Sequence, residues 1–455
     1  LMLLKANSLF DITKICFKKV HLYYATGDRT KSIEVGLKGL KYLGINIQKK
    51  TYWFLFILDL IKIKITPQKN IKDIKISNDI NKKMALKMEL MMALLAPLHT
   101  NHKKLYLYLS TKLIYLSKKY INHYTSAIGY INHGILLSCV FKNYKKGEEQ
   151  AKKGLALNII FKNNIISARL YAIYATLLSH WAHPLEKRMF YLKKSYETGI
   201  IIGDYYYALF SLQSRLITSV FKGDSLEQIY QNFNGDTKTL QNDKYLSIIN
   251  LRLALQHTVF EMIKNHSCTK LPESNLKKQM KKNSKYVTLI YLCLKLETCV
   301  IMKKYEEALN KIQQIEELEE FLSGFILEVT YNFFRFLLLS TLFDKESKKN
   351  KRKYSKIMKQ NMKIMKNWCK KAYTNNFLNM YLLMQAEMYR IKSKNQKARD
   401  FYDASIENAI QNKFIQNAAI ASECAYKFYD NQNNKTQAKI YLLKAHCYFN
   451  EWGAT

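Results

Sequence analysis

Proline and glycine are both scarce in this chain of 455 residues, which contains only 4 Pro and 14 Gly. An all-β protein of this length needs a turn every ~8–12 residues, and those turns depend heavily on these two residues. The scarcity therefore argues against a β-sandwich or a β-barrel. Hydrophobic residues make up 48% of the sequence, which is enough for a large core, so the composition favours helices joined by short polar turns.

Acidic residues are also few, because 35 Asp and Glu stand against 73 Lys and Arg and leave a formal net charge of +38. Such a charge attracts polyanions such as nucleic acids. Only nine of the basic residues are Arg, however, and Arg is the residue whose planar group binds phosphate and guanine through two hydrogen bonds. The lysines accompany many Ile, Asn and Tyr residues, as in A/T-rich coding sequences. We therefore favour codon drift over a selected nucleic-acid surface, and expect the lysines to be spread around the fold rather than gathered into one stripe.

Long apolar runs and closely spaced cysteine pairs are missing as well. The most apolar stretch, residues 53–61, contains Asp59 and is far shorter than the ~20 residues of a membrane-spanning helix. The 8 cysteines are scattered and form no C-x-x-C pair, which fits a reducing compartment. The sequence thus predicts a cytoplasmic protein without a transmembrane segment.

Motifs of nucleotide, metal and hydrolytic chemistry are not found. The sequence has no G-x-x-x-x-G-K-[ST], no G-x-G-x-x-G, no H-E-x-x-H and no nucleophile elbow. We therefore expect this chain to have no catalytic residues, no cofactor and no metal. Two histidine pairs have the i, i+3 spacing of zinc ligands but lack a carboxylate or cysteine nearby, and we interpret them as capping or packing residues. They are His99 with His102 and His180 with His183.

A recurring pair of helices is the main positive signal. An apolar helix is followed by a polar turn and by a second helix that carries regularly spaced small residues. Small residues let a neighbouring helix approach closely, and large aromatic side chains fill the gaps between pairs, as in tetratricopeptide (TPR) repeats. The sequence therefore predicts an all-α protein, a TPR-like α-solenoid of stacked antiparallel helix pairs. The spacing is clearest at Gly36, Gly39 and Leu40; at Gly147, Ala151, Gly154 and Leu155; at Ala398, Phe401 and Ile406; and at Ala438, Leu442 and Ala445.

Four polar stretches interrupt the repeats and are predicted to be loops: residues 66–82, 231–243, 266–285 and 345–363. The third, as a linker, divides the chain into a front segment (residues 1–265) and a back segment (residues 286–455). The fourth holds the densest basic run, which we interpret as a solvated loop rather than a binding tract. That run contains Lys348, Lys349, Lys351, Arg352 and Lys353.

The most distinctive local run is SHWAHPL at residues 179–185. A Trp and a His beside Pro184 could line a groove for an aromatic or peptide ligand, so His180 and Trp181 are the candidate binding residues. The interpretation that we favour is that Trp181 is buried and closes one repeat, while Pro184 begins the next helix.

Several runs resemble a known family, above all the C-terminal region that ends in Trp452, Gly453 and Ala454. The sequence resembles the TPR-like helical region that follows the AAA/STAND-type ATPase in multidomain bacterial signalling proteins with Ser/Thr-kinase and sensor-histidine-kinase domains. The resemblance covers nearly the whole chain, and it implies a fragment of a longer polypeptide with covalently attached ATPase or kinase domains. It brings no kinase or ATPase residues, because those domains lie elsewhere in such proteins. The other matching runs are Gly27-Asp28, Ile33 to Leu37, Leu43 to Ile45, His180-Trp181, Pro184-Leu185, Gly199 and Gly203-Asp204.

The function expected from these observations is a non-catalytic scaffold or sensor region. It would bind a protein partner or a small-molecule signal and relay that signal to the attached domains, with some non-specific attraction for polyanions. The main alternative that the sequence leaves open is a Lys-rich, RNA-associated helical-repeat scaffold. A third, the least favoured, is an enzyme with a dispersed site that no motif reveals.

Overall fold

Helices account for all of the regular structure in the computed structural model, which describes residues 8–47, 51–67, 81–99, 102–162, 164–232, 246–263 and 285–454. No strand occurs in these ranges, so the predicted all-α class is confirmed. None of the helices in the described ranges is both long and apolar enough to cross a bilayer.

The described part of the front segment contains twelve helices, two of which continue through a π-helical turn. After α6 the π turn is Leu136–Val140, and after α8 it is Ala175–Ser179, followed by a last turn at His180–Ala182. The helices are α1 (Leu9–Ala25), α2 (Arg29–Tyr42), α3 (Tyr52–Ile65), α4 (Lys82–His99), α5 (Lys103–Lys119), α6 (Ser126–Ile135), α7 (Tyr144–Phe161), α8 (Asn164–Tyr174), α9 (Leu185–Ile202), α10 (Tyr205–Lys222), α11 (Leu226–Asn232) and α12 (Leu246–Met262).

The back segment continues in the same way. Short 3₁₀ turns at Glu319–Leu322, Phe343–Lys345 and Thr374–Asn376 separate some of its helices. They are α13 (Lys285–Ile301), α14 (Tyr305–Glu316), α15 (Leu327–Leu342), α16 (Lys348–Lys371), α17 (Leu378–Ile391), α18 (Asn395–Gln411), α19 (Ile415–Asp430) and α20 (Lys435–Trp452).

A Gly-Asp pair forms two of the turns between helices. Gly27 and Gly203 adopt φ values of +86° and +76°, in the left-handed region that glycine enters without a steric penalty. The side chains of Asp28 and Asp204 then accept hydrogen bonds from the backbone N–H groups at the start of α2 and α10. Each pair thus ends one helix and begins the next.

Small residues bring paired helices into backbone contact, most clearly between α6 and α7. A Cβ atom added to Gly134 would lie 2.6 Å from the carbonyl oxygen of Gly147, and one added to Gly147 would lie 2.9 Å from that of Gly134. Only glycine at both positions allows this approach. Helix pairing of the predicted kind is therefore present, for example between α1 and α2, α17 and α18, and α19 and α20.

The prediction of a loop at residues 345–363 is wrong, because Lys348 begins the 24-residue helix α16. The buried apolar residues of this helix are Tyr354, Met358, Met365 and Trp368. Eleven basic residues lie among them, and they obscure the apolar periodicity in the sequence. The predicted linker at residues 266–285 lies outside the described residues except for Lys285, which begins α13. Most of the loops predicted at 66–82 and 231–243 also lie outside them.

The front and back segments contact each other through the end of α8. The carbonyl oxygens of His180 and His183 accept hydrogen bonds from the Asn376 side chain at 2.8 and 2.9 Å, and that of Trp181 accepts one from the Tyr373 N–H at 2.7 Å. Buried apolar residues of both segments belong to one continuous core.

Candidate ligand-binding cavity

The two candidate binding residues predicted from the sequence lie in this core. His180 is 0% and Trp181 2% exposed. The Trp181 ring packs against the rings of Tyr144, Trp368 and Phe377 at centroid distances of 5.1 to 5.6 Å, and its Nε1–H donates to the carbonyl oxygen of Gly324 at 3.3 Å. Trp181 is thus placed to join the two segments, and it does not face a groove.

The predicted histidine pairs do not form a metal site in the described residues, where no group of three metal-ligating side chains occurs. His180 lies 3.2 Å from the guanidinium group of Arg188, and burial together with that positive charge lowers the pKa of His180 well below its usual range. His183 instead contacts the Glu148 carboxylate at 2.6 Å. His102 precedes α5 and is exposed, whereas His99 lines a cavity.

That cavity lies among helices of the front segment and is the best candidate for a binding site. It has a volume of about 90 Å³, and since one water needs roughly 10–15 Å³, it admits a group of several non-hydrogen atoms. Its lining comes from α1, α2, α4, α5, α6, α8 and α10, and Phe325 of the back segment completes it. Several lining side chains, including Tyr24, Arg169 and Tyr206, keep part of their surface exposed, so solvent reaches the cavity.

Two arginines supply the charge of the cavity. Arg29, the first residue of α2, is only 9% exposed, and its Nε atom has no hydrogen-bond partner. The Nε atom of Arg169 on α8 likewise has none, although one of its terminal nitrogens lies 3.2 Å from Nδ1 of His21. No acidic side chain is among the described residues that line the cavity. Buried cations are normally paired with an anion. The two guanidinium groups still have N–H donors from which a bound anion could accept hydrogen bonds.

Tyrosine rings hold both guanidinium groups in place. The guanidinium carbon of Arg29 lies 5.7 Å from the centre of the Tyr24 ring, and that of Arg169 lies 5.0 Å from the Tyr207 ring. Tyr24 and Tyr206 are linked by a hydrogen bond of 3.0 Å between their hydroxyl groups. Cation–π contacts of this kind orient an arginine without neutralising its charge. The cavity therefore remains cationic.

Histidines near the cavity are uncharged at neutral pH. Burial, assisted by the charge of Lys103, lowers the pKa of His99 to about 4. Burial and the neighbouring Arg169 lower the pKa of His21 to about 3. Both imidazoles are thus available as neutral hydrogen-bonding groups. The ring of His99 also forms edge contacts with Tyr106 and Phe325.

The two π-helical turns in the described part of the front segment occur on helices that border the cavity. Thr176 and Leu177 lie in the turn that follows α8 and line the cavity directly, and Ile135 immediately precedes the turn that follows α6. Such turns occur frequently at functional sites, since the extra residue redirects side chains. Here the turn after α8 places Thr176 and Leu177 beside the tyrosine rings of α10.

Sequence reasoning missed this cavity, although arginine usage contained a signal. In a chain where lysine is the default cation, every arginine except Arg352 is buried or half-buried. Such positions favour arginine because its planar guanidinium group presents several N–H donors in a fixed arrangement, which the ammonium group of lysine does not. Arg29 and Arg169 are two of them, but they are 140 positions apart, and only the packing of α1, α2, α8 and α10 brings them to one cavity.

No protein-family model matches the chain, and a search of curated proteins found no significant relative. The resemblance to the helical region of multidomain signalling proteins therefore remains a prediction.

Proposed function

We propose that this chain is the non-catalytic, TPR-like binding region of a cytoplasmic signalling protein. Its cavity takes up a small anionic ligand with an apolar body, and the bound state is relayed to attached ATPase or kinase domains. The observation that carries the proposal is the pair of arginines, Arg29 and Arg169, that line an aromatic cavity with no acidic residue among its described lining.

The chemistry of the lining supports a ligand that has two parts. A carboxylate or phosphate group would accept hydrogen bonds from the arginines, and charge-assisted bonds of this type are among the strongest in proteins. An apolar body would contact side chains such as Leu95, Ile128 and Phe210. Cavities that are mostly apolar with a few convergent polar groups are typical sites for small molecules.

Contacts between the two segments support the relay. Phe325 of the back segment lines the cavity, and the adjacent Gly324 accepts the hydrogen bond from Trp181. A ligand that moves Phe325 would therefore alter the junction that Trp181 and Asn376 hold together. If the ligand contacts Phe325 in one arrangement of the two segments and not in another, its binding would stabilise the first arrangement.

Calorimetric titration of the purified chain with methyl phosphate and propionate tests the proposal. Both probes combine a short alkyl group with an anionic group and are small enough for the cavity, and 1-propanol serves as the uncharged analogue. We expect the two anions to bind and the alcohol not to bind. Arg29→Met and Arg169→Met keep the apolar stem of the side chain and should each weaken binding roughly 10- to 100-fold, since a hydrogen bond to a charged group contributes ~1.5–3 kcal/mol.

Arg352→Met is the matched control, because it also removes one guanidinium group but from the exposed surface of α16. It should leave probe binding unchanged. The proposal fails if 1-propanol binds as well as the anions, or if Arg352→Met weakens binding as much as the cavity variants. Hydrogen exchange tests the relay separately: methyl phosphate should slow exchange near Phe325 and near Asn376.

A further inference from the structure

We propose that the outer edge of α16 binds the phosphodiester backbone of single-stranded nucleic acid without reading its base sequence. This surface, the basic row, consists of seven residues spaced alternately three and four positions apart, all of them exposed. They are Lys349, Arg352, Lys356, Lys359, Lys363, Lys366 and Lys370.

The helical register explains why the row is continuous. Spacings of three and four residues keep side chains on one face of an α-helix. The buried residues of α16 follow the same alternation on the opposite face: Tyr354, Met358, Asn361, Met365 and Trp368. The core contacts fix the rotation of α16 about its axis, and the basic row is therefore held towards solvent.

Among the described residues, no carboxylate forms an ion pair with a side chain of the basic row. The helix α16 contains no Asp or Glu. Of the acidic residues just before it, Asp344 pairs with Arg390 at 2.6 Å, and Glu346 accepts a hydrogen bond from Asn350 at 2.6 Å. Like charges three and four residues apart repel each other on a helix. A bound polyanion would relieve this repulsion.

The dimensions of the basic row match a linear polyanion. From Lys349 to Lys370 the helix rises about 31 Å, at ~1.5 Å per residue. One strand of a nucleic acid in helical form carries a phosphate every ~3.4 Å along its axis, so a row of this length spans roughly nine phosphates. Lysine heads on flexible stems suit contacts with phosphates, which fix position but carry no sequence information.

A depression beside the basic row favours a single strand. Phe343, Ser355 and Lys351 line it together with Arg352, Lys356 and Lys359 of the row, and its volume is about 510 Å³. The Lys351 ammonium group lies 5.8 Å from the centre of the Phe343 ring. An aromatic ring next to a track of cations is the combination that single-strand-binding proteins use to stack bases while following the backbone.

A membrane surface fits the basic row less well than a nucleic acid. Helices that bind at the surface of a bilayer insert apolar side chains between the lipids. None of the large hydrophobic residues of α16 is exposed, because its apolar face is used by the core. The basic row also gives a location to the RNA-associated function that the sequence leaves open.

Fluorescence anisotropy with labelled 20-mers of oligo(U) and oligo(dT) tests the proposal on the full chain. The row variant Lys356→Gln/Lys359→Gln/Lys363→Gln removes three adjacent charges. The control variant Lys18→Gln/Lys38→Gln/Lys41→Gln removes three exposed lysines from α1 and α2. At ~0.1 M salt, we expect the row variant to bind both oligomers at least 10-fold more weakly, and the control variant to bind within about 2-fold of the wild type.

The salt dependence gives a second readout. A plot of the logarithm of the binding constant against the logarithm of the salt concentration has a slope of about −0.7 per phosphate contact with a single strand. The row variant lacks three such contacts, so its slope should be shallower by about 2. Equal weakening in both variants, or an unchanged slope in the row variant, would overturn the proposal. Stronger binding to phosphatidylserine vesicles or to poly-glutamate than to the oligomers would also overturn it. A preference between oligo(U) and oligo(dT) would tell whether the strand is RNA or DNA.

Discussion

Replacing Trp181 by alanine removes one of the tryptophan side chains that are buried at the contact between the front and back segments. Trp181 is 2% exposed and packs between Tyr144 of α7 and Trp368 and Phe377 of the back segment. Rings on several sides cannot all move to fill the gap, and the substitution therefore leaves a cavity as well as removing apolar contacts.

The expected loss of stability follows from the buried area. A Trp side chain buries on the order of 200 Å², which at about 25 cal/mol per Å² corresponds to roughly 5 kcal/mol. The hydrogen bond from Nε1 to the Gly324 oxygen is long, at 3.3 Å, and adds little. Buried Trp→Ala substitutions cost about 3–5 kcal/mol, and we expect Trp181→Ala to lower the free energy of unfolding by an amount in this range.

Urea denaturation followed by circular dichroism measures this difference. Trp53→Ala is the matched control, since Trp53 is 62% exposed and its removal should change the free energy of unfolding by less than ~0.5 kcal/mol. Trp181→Phe should be intermediate, because it keeps part of the ring. If Trp181→Ala unfolds at the same urea concentration as the wild type, the assignment of Trp181 to the core is wrong.

Three further predictions concern other parts of the chain. Burial raises the pKa of Glu297 on α13 from 4.5 to about 8. The folded state therefore favours the protonated carboxyl, and Glu297 by itself lowers the free energy of unfolding as the pH rises from about 4.5 through 8, whereas the buried histidines raise it below pH ~6.5. Glu297→Gln removes only the first contribution, so the variant should become more stable than the wild type by a margin that grows over this range to as much as ~5 kcal/mol in denaturation curves. Gly154→Ala should destabilise the pairing of α6 and α7 by more than ~1 kcal/mol in urea denaturation, because its Cβ atom would lie 2.6 Å from the backbone oxygen of Ala127; an unchanged midpoint would contradict that close approach. Titration of the chain with Mg-ATP should show no micromolar binding, and such binding would refute the expectation that the chain lacks a nucleotide site.

The local features of the fold could be predicted from the sequence. Scarce Pro and Gly, apolar periodicity and small residues at regular spacing are sufficient for an all-α chain of paired helices, because helix formation and capping depend on residues close together in sequence. The turns at Gly27–Asp28 and Gly203–Asp204 are examples, since both the left-handed glycine and the capping carboxylate act within a few residues.

Only the tertiary structure decided the features that bear on function. In α16 the apolar positions are held largely by Met and Trp among many lysines, and packing against α15 and α17 converts a segment that we expected to be a loop into a helix with one basic edge. Arg29 and Arg169 belong to helices far apart in sequence, and their shared cavity exists only because those helices pack around it. Periodicity identifies which face of a helix is apolar, whereas the partner of that face depends on contacts between distant residues, and those contacts place Trp181 in the core and Arg29 at the cavity.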